Sequence, residues 1–216
     1  MMPVVILISG RGSNLAAILA AIDAGTLPIR VSAVISNNPR AAGLETARAA
    51  GVATEIVDHR DYPDRPGFDT ALMRAIDRFD PHLVVLAGFM RILGDDFIRH
   101  YAGRLMNIHP SLLPKFKGLD THARALAAGE TRHGASVHFV TPAVDGGPVI
   151  AQAAVPVRPG DTPGTLAARV LAEEHRILPQ AIAWFAEGRL SVRDGRVLLD
   201  GVRRPEQGIV MNGERT

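Results

Sequence analysis

Apolar runs of strand length alternate with amphipathic stretches through the first half of the chain. The unbroken run Val4-Val5-Ile6-Leu7-Ile8 predicts a buried strand over Val4–Ser9. A glycine-rich turn follows, then a helix from about Leu15 to Ala24, with Gly25 where a left-handed cap belongs. Ile29–Ser36 reads as a second strand, Gly43–Ala50 as a helix and Val52–Val57 as a third strand. Asp58–Gly67, with three acids and two prolines, reads as an exposed loop. Phe68–Phe79 repeats apolar residues at helical spacing (Leu72, Ile76, Phe79), and Leu83–Ala87 is a further apolar strand.

The second half alternates instead. Ala135, Val137 and Phe139 face one way and Ser136, His138 and Val140 the other, the period of a strand. Val149–Val157 is another strand, Thr162-Pro163 opens a long helix expected to break at Pro179, and Arg189–Leu199 folds back at Asp194-Gly195 as a hairpin. Strands joined by crossover helices give an α/β chain with a Rossmann-like, mostly parallel sheet flanked by helices. The antiparallel pattern adds a C-terminal extension and a β-hairpin. Residues 1–208 read as one domain and residues 209–216 as a disordered tail.

Composition removes several classes of chemistry. The chain has 216 residues and no cysteine, so disulfides, thiolate catalysis and Cys-held metals are excluded. A formal charge of +2 without a basic cluster argues against nucleic acid. No apolar run approaches the roughly 18 residues of a membrane span, and Met1–Ile8 lacks the charged start of a signal peptide, so a cytoplasmic protein is expected.

Ser9-Gly10-Arg11-Gly12-Ser13-Asn14 joins the first strand to the first helix. Free N–H groups at a helix start favour an anion, and glycines let the backbone approach it. The third glycine of a dinucleotide loop is replaced by Leu15, and a Gly-Lys-Ser/Thr step is missing, so one phosphate monoester fits better than a pyrophosphate. The competing reading is a plain turn with Ser13 as helix cap.

Asn107-Ile108-His109-Pro110-Ser111-Leu112-Leu113-Pro114 is the most informative stretch. Pro110 biases His109 to an extended backbone, which points Asn107 and His109 to the same side. If Asp145, in Asp145-Gly146-Gly147-Pro148, met His109, it would raise the imidazole pKa and favour the imidazolium. Such a trio donates hydrogen bonds to a developing oxyanion, as acyl transfer requires. Each residue alone reads equally as a turn or cap residue. No nucleophile elbow or His-Glu-x-x-His helix competes, and the histidines lack metal-ligand spacing. Glu174 shares a helical stripe with Leu166 and Val170, where either ribose hydroxyls or an arginine would satisfy it. His138 reads as a structural residue.

These segments resemble one family. Leu7 to Leu15, Val85-Leu86-Ala87-Gly88-Phe89-Met90-Arg91-Ile92-Leu93, Asn107 to Pro114, and Gly134 to Val140 with Asp145 to Ile150 are similar, in order and spacing, to the folate-dependent phosphoribosylglycinamide formyltransferases of purine synthesis. The resemblance runs from residue 4 to about 208. It implies that Gly12, Ser13 and Asn14 hold the phosphate and Glu174 the ribose of 5-phosphoribosylglycinamide. Met90, Arg91, Ile92 and Leu93, with Asn107, Thr141, Pro142, Ala143, Val144 and Asp145, would line the pocket for 10-formyltetrahydrofolate, the co-substrate, and Arg65 would sit near its glutamate tail. Pro142-Ala143 departs from the more polar pair of the family.

The resemblance further implies a catalytic trio of Asn107, protonated His109 and Asp145, no metal, small-molecule partners only, and a monomer or homodimer. Residues 1–100 would form the phosphate-binding half and 101–208 the folate and catalytic half. A formyltetrahydrofolate hydrolase, an initiator transfer RNA formyltransferase and a non-enzymatic nucleotide-binding module are the alternatives. The first two are expected to carry an additional N-terminal or C-terminal domain.

Overall fold

The structure, a computed structural model, describes residues 1–203 and 209–212. Its contacts group into two compact units, Met1–Asn107 and Ile108–Thr216. In the first, strands β1 (Met2–Ile8), β2 (Ile29–Ser36), β3 (Thr54–Ile56), β4 (Leu83–Leu86) and β5 (Leu105–His109, running across the boundary) alternate with helices α1 (Ser13–Asp23), α2 (Gly43–Ala49), α3 (Arg65–Asp77) and α4 (Asp95–His100). Neighbouring strands pair parallel, in the order β5, β4, β1, β2, β3. Residues Val4–Ile8 are fully buried, which is why this strand reads as an uninterrupted apolar run.

The order reverses direction at the β1–β4 pair, so the loops that leave those two strands start side by side. Ser9 ties them: its N–H donates to the Gly88 carbonyl at 3.1 Å, and its hydroxyl accepts the Met90 N–H at 2.7 Å while donating to Asn37 Oδ1 at 2.5 Å.

Helix α3 starts three residues before the predicted Phe68. Asp64 caps it by accepting the Gly67 N–H at 2.8 Å, and Pro66 suits the first turn. Arg65 therefore stands on a helix and not in a loose loop.

The second unit holds α5 (Thr121–Ala127), the antiparallel pair β6 (Arg132–Phe139) and β7 (Val149–Pro156), helix α6 (Pro163–Ala186), and a small antiparallel sheet of β8 (Leu190–Arg193), β9 (Arg196–Leu199) and β10 (Val202–Arg203). Thr162 and Thr165 cap α6 reciprocally. The helix does not break at Pro179: it runs 24 residues through it. Ile177, Leu178, Ala181 and Ile182 are fully buried around the proline, and α6 packs on β6 and β7. That burial, at ~1.5–3 kcal/mol per large side chain, outweighs the ~3 kcal/mol of an internal proline.

Ile209–Asn212, expected to belong to a disordered tail, form strand β11 parallel to β7, with Ile209 opposite Ala151. An open edge accepts a short run of strand-forming residues through backbone hydrogen bonds alone. Residues 204–208 and 213–216 lie outside the described residues. Among the described residues no helix is long and apolar enough to cross a membrane.

Candidate functional site

Gly12 takes a left-handed backbone (φ 76°) at the entry to α1 and is followed by a first turn with no side-chain cap. Ser13 therefore begins the helix but does not cap it. A Cβ at Gly12 would lie 2.6 Å from Gly43 Cα, so the turn is packed directly against the start of α2. Asn14 is buried in this turn.

In the segment after β4, Leu93 is buried, whereas Met90 and Ile92 are 67% and 60% exposed. Arg91 is exposed as well. Gly94 closes the segment by donating its N–H to Asp69 Oδ2 at 2.7 Å. Asp69 is buried on α3, and burial pushes its carboxyl pKa up against the pull of the Gly94 N–H, Arg65 and Arg91. The sequence reading overlooked both anchors of this segment, Ser9 and Asp69. An acid three residues before Leu72, in line with the stripe of Leu72, Ile76 and Phe79, was the available signal for the second.

His109 ends β5, two residues after Asn107, so the two side chains leave the strand on the same side. In the second unit the ring of His109 is enclosed. Its Nε2 lies 2.9 Å from the Phe116 carbonyl, and its Nδ1 lies 3.4 Å from Asp145 Oδ2. A carbonyl only accepts, so Nε2 carries the hydrogen and Nδ1 faces the carboxylate. Asp145 Oδ2 also accepts the Gly118 N–H at 2.8 Å, and Oδ1 lies 3.6 Å from His138 Nε2. His138, set aside in the sequence reading, is thus a second histidine on this carboxylate. Its place on the polar face of β6, beside Ser136, was the usable signal. Ser136, in turn, accepts the Leu113 N–H at 3.0 Å and donates to the Ser111 carbonyl at 2.6 Å, fixing the turn beyond His109.

The electrostatics depart from expectation. Burial pushes the His109 pKa below its usual value; the Phe116 carbonyl and Asp145 oppose this, while His138 and Arg124 add to it. Asp145 alone predicted a raised pKa, but a ring with a side chain only 7% exposed loses more hydration than the neighbouring carboxylate returns. Asp145 is itself partly buried, which works to raise its pKa; His138, the Gly118 N–H and His109 outweigh that and hold it below the carboxylate range.

Thr141–Val144 lead into Asp145, with Pro142, Ala143 and Val144 exposed. Glu174 is buried on α6. A cavity of ≈ 270 Å³ adjoins Asp145, bounded by Leu113, Pro114, Lys117 and the hairpin turn Asp194-Gly195. Among the described residues no three His, Asp or Glu side chains are grouped to hold a metal ion.

His133, on β6, has its pKa pushed down to about 4, first by burial and then by His122. A histidine whose folded pKa lies below its unfolded value of 6.5 binds fewer protons folded than unfolded between those limits, so stability falls as pH drops from 6.5 to about 4. The full window corresponds to roughly 3 kcal/mol for this one group. Urea unfolding at pH 7.5 and pH 5 is expected to show the part of this loss that falls between pH 6.5 and 5, about 2 kcal/mol, and His133→Phe to flatten it; an unchanged slope in the variant would contradict the assignment.

Residues 2–182 match the family model described as formyl transferase. Over 207 residues the chain is 53% identical to phosphoribosylglycinamide formyltransferase of Escherichia coli (strain K12), covering 96% of this chain and 98% of that one. A solved structure of phosphoribosylglycinamide formyltransferase from Coxiella burnetii, in complex with CHES, is 53% identical and superposes with a TM-score of 0.93 over 97% of this chain and 98% of that one. A formyltetrahydrofolate deformylase structure from Pseudomonas putida is more distant, at 30% identity and a TM-score of 0.83, covering 92% of this chain and 70% of that one.

Proposed function

The chain belongs to the formyl transferase family, among its phosphoribosylglycinamide formyltransferases, and from that premise we propose that it moves the formyl group of 10-formyltetrahydrofolate to the amine of 5-phosphoribosylglycinamide. The observation that carries the mechanism is the His109 ring held between the Phe116 carbonyl and the Asp145 carboxylate.

The phosphate is assigned to the uncapped first turn of α1 at Gly12, Ser13 and Asn14, and the ribose hydroxyls to Glu174. The heteroaromatic ring is assigned to Met90–Leu93 and Thr141–Asp145, with Arg65 toward the glutamate tail. Apolar side chains exposed in both segments, Met90 and Ile92 in one and Val144 in the other, suit a flat ring. We place the enzyme in the cytoplasm, a reducing compartment that suits a chain without cysteine.

The folate supplies an electrophilic formyl carbon. The chain's own residues then manage charge. Asn107 offers an amide N–H to the oxyanion that develops as the amine attacks. His109 waits neutral with its hydrogen on Nε2. Its Nδ1 takes up, through a water, the proton that the attacking nitrogen sheds as it bonds to the formyl carbon, and the imidazolium so formed stabilises the oxyanion by its charge before the proton passes on to the leaving nitrogen. Asp145, held ionised by Gly118 and His138, stabilises that imidazolium and orients the water that passes a proton from the attacking nitrogen to the leaving one.

A histidine that must start neutral gives a definite pH profile. kcat/KM is expected to stay level from pH 7 to 9 and to fall as pH drops below ~6.5, the unperturbed histidine value. A fall beginning above pH 7 would instead mean that the resting enzyme needs imidazolium. Absorbance-monitored conversion of formylfolate with and without the ribonucleotide measures the profile and tests the reaction together. Conversion without the amine would favour hydrolysis, the activity named for the Pseudomonas relative; no conversion with either would favour a binding module.

A further inference from the structure

The two groups that flank the reacting centre, His109 and Asp145, are both held by one exposed segment, Lys115–Asp120. Phe116 brings its carbonyl to His109 Nε2 and Gly118 its N–H to Asp145 Oδ2. The backbone passes three times through the left-handed region to do this, at Phe116 (φ 54°), Gly118 (φ 78°) and Asp120 (φ 57°). Glycine adopts it freely, but a phenylalanine does so only where its surroundings over-determine the conformation.

Arg124 supplies that determination. Its Nη1 donates to the Lys117 carbonyl at 2.6 Å and to the Leu119 carbonyl at 3.1 Å, and its guanidinium carbon lies 5.6 Å from the centroid of the Phe116 ring. That ring also meets His133 in a T-shaped contact, with centroids 6.0 Å apart. The helix carrying Arg124 is itself tied to the residue after His109, because Thr121 Oγ1 donates to the Pro110 carbonyl at 2.7 Å and Ala125 is fully buried. A planar guanidinium that lies over an aromatic ring while one of its nitrogens serves two carbonyls is a task for arginine; lysine offers a point charge.

We propose that Arg124 is a positioning residue that locks the 116–119 segment, and through it pins the His109 ring as its Nε2–H tautomer with Nδ1 toward Asp145. The proposal rests on the roles given to His109 and Asp145 above.

Arg124→Ala is expected to lower kcat about tenfold while the KM of each substrate stays within about twofold, because the clamp acts on His109 and on the Asp145 carboxylate and on none of the other residues assigned to substrate binding. Side-chain nitrogen NMR should show His109 as one Nε2–H tautomer in the native enzyme and as an exchanging mixture in the variant. Arg124→Lys keeps the charge and the stem, so it serves as the folded comparison should the alanine variant melt early. It is expected to remain nearer the alanine variant in both readouts.

Native kcat in Arg124→Ala, loss of kcat with the Nε2–H signature intact, or full recovery in Arg124→Lys would each overturn the clamp. These results differ from failure of the underlying reading, which would appear as near-native turnover in His109→Ala.

Discussion

His109→Ala is expected to reduce turnover by about 10²–10³-fold, on the order of removing one oxyanion-stabilising group, ~3–4 kcal/mol of barrier. The ring is held at both nitrogens, by Phe116 and by Asp145, so its position needs no reorganisation during reaction, and that preorganisation is what the variant loses. Its removal also leaves the Asp145 carboxylate with His138 as its remaining ring neighbour and the Phe116 carbonyl without its donor. The KM of the ribonucleotide should change little, since the phosphate is assigned to α1. Single-turnover rates at saturating formylfolate measure the effect; a loss under about fivefold would remove His109 from the reacting centre.

Gly12→Ala is the second large effect, and it acts through backbone. A Cβ there would stand 2.6 Å from Gly43 Cα, and no rotamer can relieve contact with a backbone atom. The contact is reciprocal, since a Cβ built on Gly43 would lie 2.9 Å from Gly12 Cα and 2.7 Å from Ile8 Cδ1. The left-handed φ of 76° adds ~1–2 kcal/mol for any residue with a side chain. Together these should cost about 2–4 kcal/mol of stability and lower the melting temperature by roughly 5–10 °C. The ribonucleotide KM should rise at least about tenfold as the first turn of α1 is displaced. Gly10→Ala is the control, with nothing within 4 Å of its Cβ. Equal effects at both positions would mean that the Gly12–Gly43 contact does not set the loop.

How legible this was depended on how local the cause was. Strand β2 lies where its apolar run predicted, at Ile29–Ser36, and the hairpin turns at Asp194-Gly195, both residues having positive φ. The start of α3 was misread because a cap at Asp64 and a proline in the first turn look, without their hydrogen bonds, like the punctuation of a loop. The continuity of α6 was misread for the opposite reason: proline's local cost is visible in sequence, and the burial that overrides it is not.

The same division runs through the candidate site. Asn107 and His109 were paired by strand period alone, and the glycine turn before α1 by its composition. That Asp145 would lie 3.4 Å from His109 had no local cause, since 36 residues separate them, and only the packing of β6, its following loop and the Lys115–Asp120 segment decided it. The charge state of His109 was decided there too. Sequence supplies the identity of a neighbouring carboxylate, but a pKa depends on how much water is removed from the ring, and hydration is a property of the folded surface.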